Sequence, residues 1–353
     1  MPSLSRDLVR DCLTFKNPER VPRDLWTLPW AEQRYPDELR AMRERFPTDF
    51  SGVPNVYDPS PRRRGSQFGV GEFVDEWGCV FVNVQEGVHG EVKEPAIGDL
   101  SRLSGWTPPW EVLPGNQAAA RDIVNLACAT TDRFVTAGCC PRPWERCQFL
   151  RGSENALMDV AEPEAGFSNL LAKVHEYYLA ELEFWVTTDA DAIFFMDDWG
   201  SQDRMMISPA AWRDLFKPLY KEYCDLAHAH GKFVFMHSDG CISAVIGDLV
   251  DVGVDALNSQ LFVMDMAEVA AKAKGKLTFW GEIDRQRVLT SPDPEVGRDA
   301  VRTVARHFYD PTGGVIAHFE FGGGVHPATA WAIYDEWERV SKVPRGDNQK
   351  PDH

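Results

Sequence analysis

Lys232-Phe-Val-Phe-Met-His-Ser-Asp-Gly-Cys241 decides how the rest of this 353-residue chain is read. The apolar run Phe233 to Met236 has the length and composition of a buried strand. It follows a helix that stops at Gly231, a residue that accepts the left-handed conformation of a helix end. The run breaks into His237-Ser238-Asp239-Gly240, and Ile242 to Val250 reads as the next helix. Strand, polar turn and helix make one βα unit of a parallel α/β fold, whose chemistry sits at the carboxyl ends of the strands. Side chains alternate along a strand, so His237 and Asp239 point to the same side. A histidine that merely caps its loop explains these residues as well as a catalytic one does.

The same pattern recurs on both sides. Upstream, Asp191-Ala-Ile-Phe-Phe-Met-Asp197-Asp198-Trp199-Gly200 is an apolar strand ending in two acids. Ser208-Pro209 then starts a helix, Ser as cap and Pro at the first turn, that runs with a break near Pro218 to His230. Downstream come a strand at Asp255–Gln260, a helix at Met264–Ala273, a strand at Leu277–Asp284 and a helix over 293–308. The last strand, Gly314–Phe321, ends in Gly322-Gly323-Gly324-Val-His326-Pro327, and a final helix covers Pro327 to Ser341. Toward the N-terminus the spacing predicts an amphipathic helix within residues 1–19, a strand at 20–26, a helix from Asp37 to Phe46 and a strand at Phe50–Val56. A helix over 116–129, a strand at Arg133–Gly138 and helices over about 141–160 and 165–188 complete the alternation.

Residues 58–114, rich in Pro, Gly and Trp, interrupt this rhythm and read as an irregular excursion with short strands over one mouth of the fold. Its Arg62-Arg63-Arg64 triplet reads as solvated surface. Eight strands, each followed by helix and with no linker between, predict a single (β/α)8 TIM barrel over residues 1–342. An N-terminal helical extension precedes it, and a disordered tail follows at 343–353. A doubly wound sheet would need a glycine-rich phosphate loop after an early strand, and none is present.

Lys and Arg total 37 against 54 Asp and Glu, a net charge of −17 that disfavours nucleic acid and anionic membranes as partners. No apolar run reaches the ~20 residues of a membrane span, and the start of the chain lacks an apolar signal segment. The eight cysteines form no Cys-x-x-Cys pair, so reduced thiols in the cytoplasm are expected.

The strand ends bring Asp197, Asp198, His237, Asp239, Asn258, Gln260, Glu282, Asp284, Glu320 and His326 to one mouth. An imidazole with two or three carboxylates can bind Zn²⁺ and leave a position open for substrate. The same groups can serve acid–base chemistry without metal. No linear metal signature such as His-Glu-x-x-His decides between them. Trp77, Trp199 and Trp280 read equally well as pocket lining and as rim packing.

Asn17-Pro-Glu-Arg-Val-Pro22, Asp197-Asp-Trp-Gly200, Ser208-Pro209, His237-Ser-Asp-Gly240, Glu282-Ile-Asp284 and Gly322-Gly-Gly324 together resemble the uroporphyrinogen decarboxylase superfamily over residues 8–341. The resemblance implies a (β/α)8 barrel and one of two activities: cofactor-free porphyrinogen decarboxylation, or zinc-dependent methyl transfer involving a corrinoid protein or coenzyme M. The decarboxylases carry an arginine-rich segment where this chain has Asp24-Leu-Trp-Thr-Leu-Pro-Trp30, and a catalytic aspartate where it has Gly52 after Phe50-Ser51. An octa-anionic substrate would be left unpaired there, so uroporphyrinogen decarboxylase activity is not expected.

The coenzyme M methyltransferases use His-x-Cys and a later Cys as zinc ligands. Here His237 keeps the histidine, Asp239 stands at the first cysteine and Gly323 at the second. The resemblance therefore implies a zinc site of His237, with Asp239 or Cys241 nearby, completed from Glu282, Cys241 or Glu320, with Glu282 favoured. An oxygen-rich site suits an ether or amine methyl donor better than a thiol. The expected function is methyl transfer from a small, for example methoxylated, donor to a corrinoid cofactor or corrinoid protein. Asp197, Asp198 and Asp239 are the expected catalytic acids. The expected substrate contacts are Trp26, Trp77 and Trp199 among the aromatics, and Gln202, Asn258, Gln260 and His326 among the polar residues. A metal-free decarboxylase or lyase on a small carboxylated substrate is the alternative, and a non-catalytic binding protein the third reading.

Overall fold

The computed structural model describes residues 4–162 and 165–342, so the tail expected at 343–353 lies outside the described residues. Among the described residues the strands are β1 (Arg23–Thr27), β2 (Phe50–Ser51), β3 (Gly71–Val74), β4 (Val80–Asn83), β5 (Glu91–Glu94), β6 (Phe134–Val135), β7 (Ala192–Met196), β8 (Phe233–Ser238), β9 (Ala256–Ser259), β10 (Thr278–Trp280) and β11 (Val315–Phe321). Six of them form one sheet in the order β1-β11-β10-β9-β8-β7, every pair parallel. β2 and β6 form a separate parallel pair. That pair touches both ends of the larger sheet: a bridge joins Thr136 to Ala192 beside β7, and the Asp49 N–H donates to the Arg23 carbonyl beside β1.

Alternation along the strands divides the side chains between two faces. Phe235, Ala256, Trp280 and Ile316 face inward onto a small core with Phe50, Phe134 and Ala192. Val234, Met236, Leu257, Val315, Ala317 and Phe319 face the helices and join the larger core.

The N-terminal helix Ser5–Leu13 seals the inner core from below. Its Val9, Cys12 and Leu13 pack among those inward residues. Arg6 and Arg10 pair with the buried Asp191 just before β7 at 3.1 and 2.6 Å. No helix among the described residues is long and apolar enough to cross a membrane.

Several expected helices are shorter or divided. The segment at 141–160 splits into Pro143–Arg151 and Ser153–Ala161 at Gly152, whose φ of 80° breaks the helical path. The segment at 208–230 becomes Pro209–Leu215 and Lys217–Ala229, because Pro218 cannot donate to the preceding turn. The strands expected at 50–56, 133–138 and 277–284 shrink to two or three residues each. The excursion is an antiparallel β3-β4-β5 meander followed by two short 3₁₀ turns. It packs mainly on the flanking helices, where Phe81 meets Phe149 and Trp77 meets Tyr177 and Tyr178. Near Gly87, whose carbonyl accepts the Trp30 N–H, it reaches the short helix Pro29–Arg34 after β1.

Candidate active site

The inward parity of the core strands continues past their carboxyl ends and assembles the site. Phe235 leads to His237 and Asp239, Ala256 to Asn258 and Gln260, Ile316 to His318 and Glu320, and Phe194 to Asp198. His237 and Asn258 are direct register partners between β8 and β9. The His237 Nδ1 lies 2.6 Å from the Asn258 Oδ1. The Asn258 amide donates to the Trp280 carbonyl at 2.5 Å and to the His318 Nδ1 at 2.9 Å. Because the Asn258 oxygen can only accept, Nδ1 of His237 carries a proton, and Nε2 is the atom presented to the mouth.

That nitrogen lies 3.5 Å from an oxygen of Asp198 and 3.5 Å from one of Asp239. These three donor atoms all fall within 4.8 Å of one another. Burial would lower the imidazole pKa, but the Asp198 hydrogen bond and charge, and then the Asp239 charge, outweigh it and hold His237 up at about 9. His318, buried beside this cation and Arg285, is pushed well below the ordinary histidine range, first by burial. It stays neutral.

Arg285 is the group the sequence reading missed. Its guanidinium sits among three acids: Nη2 lies 2.6 Å from both oxygens of Asp239, Nε 3.0 Å from Glu282 and Nη1 3.3 Å from Glu320. Glu282 is almost fully buried; desolvation lifts its carboxyl to about 8 against the pull of Arg285. The available signal was the spacing itself, an Arg directly after Glu282-Ile-Asp284 in an otherwise acidic strand end.

The expected partners Glu282, Cys241 and Glu320 do not join His237 in the cluster of donor atoms that converges. Glu282 and Glu320 pair with Arg285, as Asp239 also does, and the Cys241 thiol rests 3.7 Å from the Ser243 hydroxyl. The group around the Nε2 of His237 is Asp198 and Asp239.

Other expected site residues part company for steric reasons. Asp197 shares the outward parity of Phe195, is fully buried, and accepts the Trp144 and Glu145 N–H groups at 2.9 and 2.7 Å and the Tyr220 hydroxyl at 2.6 Å. It caps the helix Pro143–Arg151 instead of facing the mouth. Trp199 follows the same parity, stacks on Trp144 at 5.3 Å and donates its indole N–H to Tyr220. Trp77 is buried under the excursion with the Arg146 guanidinium 4.6 Å from its ring. Trp26 lies half-buried beneath the site, its ring 5.5 Å from that of His237 and 4.7 Å from that of His318. His326 is exposed at the start of the last helix, its carbonyl accepting the Thr329 and Ala330 N–H groups. Gln202 and Gln260 line a pocket of about 620 Å³, partly open to solvent, together with Glu282, Asp284 and Arg285.

The loops carrying Asp198 and Asp239 meet glycine on glycine. The Gly200 N–H donates to the Asp239 carbonyl at 3.1 Å, and the Asp239 N–H donates to the Asp198 carboxylate at 2.9 Å. Gly240 has a φ of 79°, and a Cβ there would stand 2.1 Å from the Gly200 carbonyl carbon. Gly240→Ala is expected to destabilise the fold by about 1–3 kcal/mol and to prise the two acids apart. Thermal melting and metal titration on one preparation check this; an unchanged midpoint and unchanged metal uptake would refute the role given to this contact.

A parallel α/β scaffold with an imidazole, several acids and one guanidinium at its strand ends is the architecture of a strand-end active site. The chain belongs to the uroporphyrinogen decarboxylase (URO-D) family, whose profile matches residues 75–333. Among solved structures, a methyltransferase from Methanosarcina mazei is similar at a TM-score of 0.67 and 14% identity, covering 96% of this chain and 99% of that one. At that identity the likeness is one of fold. A xylose isomerase-like TIM barrel protein from Mycobacterium smegmatis aligns at 15% identity over 71% of this chain and 92% of its own, with a TM-score of only 0.34. No curated protein matches the sequence.

Proposed function

We propose that this chain is a methyltransferase taking a methyl group from a small donor bound in the Gln202–Gln260 pocket, with a corrinoid as acceptor. We take β2 and β6 as completing an eight-stranded barrel with the six-stranded sheet. The observation that carries the functional reading is the convergence of Asp198, His237 and Asp239 beside that pocket. One nitrogen and two carboxylate oxygens suit Zn²⁺ and leave a position for substrate. The tautomer fixed by Asn258 is the second-sphere arrangement that a metal-binding histidine needs. The residues present thus fit a divalent metal, with Asp198, His237 and Asp239 as its holders. When bound, the metal would supply Lewis acidity toward the donor's departing oxygen or nitrogen.

The chain's own groups supply the rest. Arg285 holds Asp239, Glu282 and Glu320 in one fixed arrangement. Glu282 lines the pocket and, with its pKa lifted to about 8, keeps a proton at neutral pH that can pass to the departing atom. The pocket, partly open to solvent, suits a small donor, and the corrinoid, free or protein-borne, would meet the mouth from outside.

Decarboxylation of uroporphyrinogen has little support. Asp24 is buried and accepts the Trp280 indole N–H at 3.2 Å, while Arg23 pairs with Glu338, so no free cation of β1 faces the mouth.

The test is elemental analysis of protein purified without chelator, followed by a screen of methoxylated and methylamine donors with cob(I)alamin, read as methylcobalamin absorbance. About one metal per chain, at least one productive donor and no coproporphyrinogen from uroporphyrinogen are expected. No metal before or after zinc addition, or no methylcobalamin from any donor, overturns the reading.

A further inference from the structure

The pocket beside the strand-end acids has an uneven stock of unspent hydrogen-bonding groups. Arg285, its inner cation, is committed to Asp239, Glu282 and Glu320. Asp284, at the pocket wall, spends one carboxylate oxygen on the backbone N–H groups of Gln286 and Arg287 at 2.8 and 3.0 Å. That turn fixes the direction in which these two side chains leave the backbone. The Gln260 side-chain oxygen accepts the Gly240 N–H at 3.1 Å, which leaves its NH₂ unspent. Arg287 lines the pocket at its exposed rim, and among the described residues its guanidinium has no acid or carbonyl partner. Phe262 and Val263, from the 3₁₀ turn after β9, also line the pocket and add apolar surface.

We propose that this pocket selects a small molecule bearing a carboxylate, with Arg287 as the specificity-determining anchor, the Gln260 NH₂ as a second donor, and the apolar part of the ligand against Phe262 and Val263. Arginine presents a planar pair of N–H groups that matches a carboxylate, and a charge-assisted pair of this kind is stronger than a neutral one. A neutral ligand of the same shape would forgo that charge-assisted pair. The inference deepens the methyltransferase reading, by stating what else the methyl donor must carry, and rests on that reading only for calling the ligand a donor.

The experiment compares 4-methoxybenzoate and methoxyacetate, each against its own primary amide, by calorimetric titration of the purified full chain with no methyl acceptor present. At least one carboxylate should bind about tenfold or more tightly than its amide, the size expected of one charge-assisted contact. Arg287→Gln should erase that preference and Arg287→Lys should keep part of it, both with wild-type melting temperatures. Equal affinity for acid and amide, no binding of either carboxylate, or a preference that survives Arg287→Gln overturns the inference. Binding is read without turnover, so carboxylate selection through Arg287 without methylcobalamin formation would remove the methyltransferase and leave this inference standing.

Discussion

His237→Ala should abolish stable metal binding, lowering affinity by more than about 100-fold, and methyl transfer should fall with it. The size follows from comparison with the next layer out. Losing a group that merely orients a metal ligand costs roughly 10–100-fold, and His237 contributes the only nitrogen of the converging set. Asn258, which reaches the cluster through the Nδ1 of His237, supplies the graded control. Asn258→Ala should weaken uptake by roughly 10–100-fold, because the imidazole stays but loses its fixed tautomer. The cavity left by His237→Ala lies under the mouth, and the unpaired Asn258 oxygen costs about 1–3 kcal/mol, so the fold should survive. Zinc titration with a competing chelator and circular dichroism on the same samples check this. Equal metal affinity in His237→Ala and wild type would remove the proposed centre.

The second large effect concerns stability. Arg146→Ala is expected to destabilise the chain by about 3–5 kcal/mol, the cost of removing one partner of a buried ion pair. Arg146 donates to Asp75 at 2.6 Å with both side chains nearly sealed from solvent, and its guanidinium lies over the rings of Trp77 and Phe149 at 4.6 and 5.3 Å. Truncation leaves the Asp75 carboxylate buried with only the backbone N–H groups of Trp77 and Cys79 as donors. It also empties the space between the excursion and the helices. Asp75→Asn keeps an acceptor for those N–H groups and should cost less. Urea denaturation with tryptophan fluorescence measures both; a loss below about 1 kcal/mol for Arg146→Ala would show that the excursion is held by its aromatic contacts alone.

Much of the scaffold was legible because its physics is local. Runs such as Phe233 to Met236 and Ala192 to Met196 can hardly be anything but buried strands, and Ser208-Pro209 or Asp293-Pro294 announce helix starts. The period of two also placed His237 and Asp239 on one side. What escaped depended on where a strand ends. Asp197 and Asp198 are neighbours in sequence, yet one continues the outward parity and caps a helix while the other faces the mouth. Trp77 and Trp199 were read as possible lining, but their volume is accommodated in the layers behind the site. Arg285 was invisible to strand-end logic because β10 stops at Trp280 and the chain then turns through Gly281, at a φ of 68°, before reaching it. His318, inside β11, carried no motif at all.

The helix that seals the inner core from below also sets a timetable for synthesis. The Cys12 carbonyl accepts the Gly314 N–H at 3.1 Å, and its thiol donates to the Val315 carbonyl at 3.2 Å across a separation of 303 residues. The helix Ser5–Leu13 is thus bound to a strand that leaves the ribosome 303 residues behind its Cys12. Until β11 has emerged, Val9 and Leu13 have an incomplete surface to cover, and the loop to be closed spans 303 residues. Such long-range closure is slow and exposes apolar surface while it waits. A nascent chain must therefore keep the helix Ser5–Leu13 in reserve until β11 arrives.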